Sequence, residues 1–170
     1  HEMAWVQDDL VFVNTRFSCL AKRSGTYNFV PVWRPSFINQ NVPDDCCHLN
    51  GMAVCDGNVR YVTALGDSNK PSGWRANKKE GGILIDVQSN EIAARGLSMP
   101  HSPRWHDGKL WLLNSGCPVS YEVFRFTDRW PSSGCPKFAR PPCLQKSRSL
   151  ICRWNNAAVA YGSSICKPRM

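Results

Sequence analysis

The 170-residue sequence predicts an all-β fold built from a repeated four-stranded unit, and three observations carry that reading. The first is a self-match at a displacement of one hundred residues, where HEMAWVQDDLVFVNT falls without a gap on HSPRWHDGKLWLLNS. His1 meets His101, Trp5 meets Trp105, Leu10 meets Leu110 and Asn14 meets Asn114. The second is a looser copy between them, HLNGMAVCDGNVRYVTALG, in which His48 leads and Asp56-Gly57 matches Asp107-Gly108. The third is the local pattern: no 3.6-residue apolar period spans a helix-length window, whereas Asp-Gly between apolar runs marks a tight hairpin, because that turn needs positive φ. Copies starting near residues 1, 48 and 101 give a period of about fifty, which belongs to a propeller or another β-repeat array. The expected architecture is a partial β-propeller of about three and a half four-stranded blades, where closed propellers have roughly four to eight.

In the first copy, residues 3–6 and 10–14 read as strands around the turn at Gln7-Asp8-Asp9, followed by strands at 17–21 and 27–33. Pro31 inside the last suits an edge position, since proline has no N–H to give a ladder. In the second copy, strands at 51–55 and 60–64 flank Asp56-Gly57. A long polar loop then leads to strands at 83–88 and 91–94. In the third, strands at 103–106 and 110–114 flank Asp107-Gly108, and the alternating SYEVFRF places another at 120–126. Beyond Phe126 the pattern fades, with 157–163 the one further strand. Trp5 and Trp105, equivalent between copies, are expected in the core.

Composition breaks at Cys117. Residues 1–116 hold 12 basic and 11 acidic residues, whereas residues 117–170 hold 9 and 2, so nearly all of the net charge of +8 sits in the tail. The domain reading follows: 1–116 carries blades one, two and the start of three, and 117–170 is a diverged, basic, cysteine-rich continuation. That tail reads either as a nucleic-acid-facing arm or as a diverged or frame-shifted continuation; nucleic acid is the weaker partner. The nine cysteines contain no C-x-x-C pair. Cys46-Cys47-His48 offers a zinc site as the lesser alternative, because neighbours in a strand point to opposite faces and rarely reach one ion; buried thiols are the expectation, in a cytoplasmic chain without a membrane span. The start at His1, without an initiator Met, reads as a fragment or a processed form.

The blocks WVQDDLVFVNTRFSCL, FVPVWRPSFI, DDCCHLNGMAV, RYVTALG with GWR, GGILIDV and GLSMPHSPRWHDGKLWLLNSG resemble a bacterial family of propeller-like proteins of unassigned function, over its N-terminal half. The resemblance implies the fold and leaves the chemistry open. HLNGMAV followed by RYVT is also similar to the blade start of gluconolactonase-like propellers.

In such a fold, loops that lead into the first strand of each blade and loops that leave the second open at one end. They carry His48, Asn50, His101 and Arg104, then Asn14, Arg16, Trp74, Arg75 and Asn114, with Asp67 beside them. Concave mouths of this kind are where ligands bind. Guanidinium groups grip carboxylates or phosphates through paired donors, an indole stacks on rings, and imidazoles serve as bases or ligands. The expectation is a mouth that binds a small anionic ligand or a polar peptide. The alternative is a metal-assisted, lactonase-like hydrolase using His48, Asn50 and His101, with a divalent cation as its cofactor. Against each stands a structural role: Asn at a strand end bonds backbone, and the repeated His can latch blade to blade. No metal set and no phosphate loop, G-x-S-x-G or H-E-x-x-H motif is present. An incomplete ring also exposes an apolar flank, so self-association or a missing half is the expected partner.

Overall fold

The computed structural model describes residues 1–116 and 121–124, all within the first of the chain's two units, His1–Phe138. Expectations placed on residues 117–120 and 125–170, the basic arm and the strand at 157–163 among them, lie outside these residues. The described chain is all-β, with two short 3-10 turns, Thr15–Phe17 and Gly73–Asn77, and no α-helix among the described residues. No described helix is long and apolar enough to cross a membrane.

Each copy of the sequence repeat opens one antiparallel sheet. The first has strand order β1 (Met3–Val6), β2 (Asp9–Asn14), β3 (Cys19–Lys22), β4 (Val30–Trp33). The second runs β5 (Leu49–Cys55), β6 (Asn58–Ala64), β7 (Gly82–Asp86), β8 (Glu91–Leu97). The third pairs β9 (Pro100–His106) with β10 (Lys109–Asn114) and β10 with β11 (Tyr121–Phe124). These are three separate sheets that do not join into a closed one.

Hairpin turns gather at one end of the strands. Gln7, Asp56, Asn90 and Asp107 take positive φ there, as do Gly57 and Gly108, which is the conformation a two-residue hairpin demands. The β2–β3, β4–β5, β6–β7 and β8–β9 connections, two of them long, occupy the other end. Pro31 does lie in β4, the edge of its sheet. The strand expected at 17–21 starts later, because Asn14 accepts the Phe17 N–H and the chain makes a 3-10 turn before Ser18 turns left-handed.

Two apolar cores lie on the two faces of the middle sheet. Val11, Val13 and Leu20 of the first sheet meet Met52, Val62, Ile83 and Ile85 in one core, together with Ile38, Cys46 and Cys47 of the β4–β5 loop. Tyr61, Ala53, Leu84, Ala94 and Leu97 meet Leu110 and Leu112 of the third sheet in the other. Strand alternation divides the run Ile83-Leu84-Ile85 between the two cores. Glycine sets the closeness of the second contact. A Cβ on Gly51 would lie 2.5 Å from Pro103 Cδ, and one on Gly82 2.3 Å from Pro100 Cδ. The bare backbone of these positions admits the prolines of β9.

The expectation that both repeated tryptophans are core needs correction. Trp105 is half-buried and stacks on Tyr61 at 6.1 Å, but Trp5 is 69 % exposed. The third sheet packs against the middle one, while the same face of the first sheet has no sheet against it among the described residues.

Candidate functional site

The loop end of the strands gathers side chains from all three sheets. His1 precedes β1, His48 precedes β5, and His101 is the second residue of β9. The His1 ring lies 5.0 Å from His48, edge-on, and 5.8 Å from His101. His48 lies 4.3 Å from the Trp74 ring, and the Arg75 guanidinium stands 4.8 Å over that same indole. Trp74 and Arg75 come from the 3-10 turn in the loop between β6 and β7. Three imidazoles, an indole and a guanidinium thus share one end of the described structure.

Asp45 fixes two members of this group. Its Oδ2 lies 2.8 Å from His48 Nδ1 and accepts the Trp74 Nε1–H at 3.1 Å. A carboxylate only accepts, so Nδ1 of His48 is the donor of this pair and Nε2 faces away from it. The second carboxylate oxygen, Asp45 Oδ1, is buried without a hydrogen-bond partner among the described residues. Asp45 is itself held where the Arg16 carbonyl accepts its N–H at 2.9 Å.

The backbone around these residues is strained. Asp45, His48, Ser72, Met99 and Ser102 all have φ between +48° and +52°. Side chains with a Cβ pay roughly 1–2 kcal/mol each for that conformation. Here it recurs in the three loops that bring up His48, Trp74 and His101. Strain of this kind needs surrounding structure to hold it. That structure is visible: Cys46 N–H donates to Ser18 Oγ, the Cys47 carbonyl accepts from Leu65, and the Asp44 carbonyl accepts from Ser72.

Burial lowers the pKa of His101 below its ordinary value, and the nearby His48 lowers it further, with Glu2 opposing. His101 is therefore held toward its neutral form. The thiols of the same region are inert: burial pushes Cys47 up to about 12 and Cys19 up to about 11, which removes the reactive thiolate.

Other expected site residues have structural partners. Asn50 is buried, donates from Nδ2 to the Pro100 carbonyl at 3.0 Å and accepts from Thr63 Oγ1 at 2.7 Å, so it links the middle sheet to β9. Asn114 Oδ1 accepts the Ser98 N–H at 2.6 Å. Asn14 caps the first 3-10 turn. Arg104 pairs with Glu2 and donates to the Pro103 carbonyl at 2.8 Å. Asp67 pairs with Arg95 at the surface. The Arg16 side chain is exposed, and its backbone carbonyl is the acceptor that places Asp45.

The family model described as a domain of unknown function (DUF4915) matches residues 1–149. The chain belongs to this family. Neither a curated protein nor a solved structure matches it. The family match crosses the compositional break at Cys117 rather than stopping there.

In this DUF4915 chain, two members of the cluster, His1 and Asp45, were not among the expected site residues. The His1 side chain is exposed, and its equivalence to His101 puts it at the head of a repeat. Asp45 gave no such signal, because it reaches His48 through a left-handed loop and not through strand periodicity. The cation of gluconolactonase-like propellers does not fit this site. Hard cations need several oxygen ligands, Asn50 is engaged internally, and no three His, Cys, Asp or Glu side chains among the described residues are placed to hold a metal ion.

Proposed function

We propose that the three sheets are successive blades of a β-propeller and that the loop end binds a small anionic ligand or a polar peptide. Two four-stranded meanders and a three-stranded one, each opening at a repeat, support the architecture. The observation that carries the binding reading is the convergence of His1, His48 and His101 with Trp74 and Arg75. Arg75 supplies the fixed positive charge, Trp74 an apolar floor, and the imidazoles hydrogen-bond capacity that increases on protonation. Cytoplasmic residence is part of the proposal, supported by four described cysteines that are all free thiols, as reducing compartments leave them.

Calorimetric titration with inorganic phosphate, citrate and gluconate tests it. Saturable binding to the full chain, weakened at least about ten-fold by Arg75→Ala and by His48→Ala, is the expected result. No saturable uptake of any of the three, or binding indifferent to both substitutions, would overturn the reading.

One observation favours a second reading, a hydrolase. The Asp45–His48 pair has the arrangement of an oriented general base, with Nε2 facing away from its carboxylate partner. This version needs no cation. Turnover of an aliphatic lactone in a pH-stat, resistant to a chelator and abolished by His48→Ala, would support it; the nucleic-acid reading has no support among the described residues.

A further inference from the structure

The front of the first sheet is a copy of an interface that the molecule uses elsewhere, with no sheet on it among the described residues. Strand pairing puts Met3 opposite Phe12 and Trp5 opposite Leu10, so these four share a face. The opposite face, with Val11 and Val13, is the one packed on the middle sheet. One hundred residues on, Pro103, Trp105, Leu110 and Leu112 hold the corresponding positions. Those four seat the third sheet: Pro103 against Gly51, Trp105 on Tyr61, Leu110 and Leu112 in the second core. On the first sheet Phe12 is covered by Phe29, ring to ring at 6.5 Å. Met3 and Trp5 are left 67 % and 69 % exposed.

The partner this face fits is therefore the back of another such sheet. The middle sheet's back, with Tyr61, is taken by the third sheet. The first sheet's back, with Val11 and Val13, is taken by the middle one. The third sheet has the remaining back among the described residues, with Trp111 and Leu113 at the positions of Val11 and Val13. Both are half-buried, where Val11 and Val13 are 6 % and 2 % exposed. We infer that Met3 and Trp5 dock a second copy of this chain, head to tail, through the back of its third sheet. The contact is heterologous, which lets copies add in one direction. It is independent of the ligand reading, since none of its residues belongs to the imidazole cluster.

Sedimentation velocity of the full chain over a range of concentrations tests it, with far-UV circular dichroism on each variant. Wild-type chain self-associates. Met3→Glu/Trp5→Glu weakens association at least about ten-fold with an unchanged spectrum, because both side chains are already in water. Tyr27→Glu, at an exposed residue outside β1, leaves association intact. Leu113→Glu blocks the other face, so it is non-associating alone but forms a one-to-one complex with Met3→Glu/Trp5→Glu. A wild-type monomer at all concentrations overturns the inference. So does association that survives Met3→Glu/Trp5→Glu, or a Leu113→Glu chain that associates normally with a native spectrum. Should Leu113→Glu lose its native spectrum, Lys109→Glu, on the same back face of β10, replaces it in the mixing arm.

Discussion

At the scale of single residues, the site depends on Asp45 more than its place in the sequence suggests. One carboxylate oxygen fixes the His48 tautomer and anchors Trp74, so Asp45→Ala removes two hydrogen bonds and releases a strained loop. Hydrogen bonds to charged groups contribute about 1.5–3 kcal/mol each when sheltered; at this half-buried position the expected loss is about 1–2 kcal/mol. Urea unfolding reads it as a lower midpoint at unchanged slope, and an unshifted midpoint would contradict the assigned role. His101 has a pH signature of its own. Its folded pKa lies below the ordinary value, so the unfolded chain takes up the proton first as pH falls. Stability should therefore be level above the ordinary histidine value of 6.5 and decline as pH falls from there toward the folded pKa. His101→Gln should flatten that decline, and melting curves between neutral and mildly acidic buffer decide the point. His48 and His101 were legible in the sequence because they recur with the repeat. The pairing of Asp45 with His48 was not, because it arises from a left-handed turn that leaves no periodic trace.

At the scale of elements, strand existence was legible and strand ends were not. Asp56-Gly57 and Asp107-Gly108 announced their hairpins because the turn conformation restricts residue choice. By contrast, residues 17–21 read as a strand, yet a side-chain cap from Asn14 and the left-handed Ser18 delay β3 to Cys19. Trp5 shows a related limit: alternation specifies which face a residue takes, whereas burial depends on whether another sheet covers that face. Two glycines separate these levels of constraint. Gly57 has positive φ and open space around its missing Cβ, so Gly57→Ala should cost only the backbone strain of about 1–2 kcal/mol. Gly51 has ordinary φ but no room before Pro103 Cδ, Thr63 Oγ1 and the Ser102 backbone. Gly51→Ala must push β9 away from the middle sheet, with an expected overpacking cost of about 1–3 kcal/mol. A second signature distinguishes them: Gly51→Ala, but not Gly57→Ala, should perturb the Trp105–Tyr61 stack seen in near-UV circular dichroism.

At the scale of the whole molecule, stability should be graded across the sheets. The middle sheet is the one described sheet with a core on both faces, and Val62, Ala64, Ile83, Leu84 and Ile85 are each at most 1 % exposed. Its neighbours each have a core on one face. The first sheet has Met3 and Trp5 in water and an edge strand, β4, in which Val30 and Val32 are 37 % and 47 % exposed. Local opening costs less where fewer apolar contacts are broken. Opening the first sheet exposes one core and leaves the middle sheet still packed on the third, whereas opening the middle sheet exposes both cores at once. Hydrogen exchange should therefore be slowest for the amides of β6 and β7, which open only with global unfolding. Amides of β1 and β4 should exchange through smaller openings that denaturant barely affects. Equal protection across β2, β6 and β10 would mean that the three sheets unfold as a single unit, against the gradient argued from their faces.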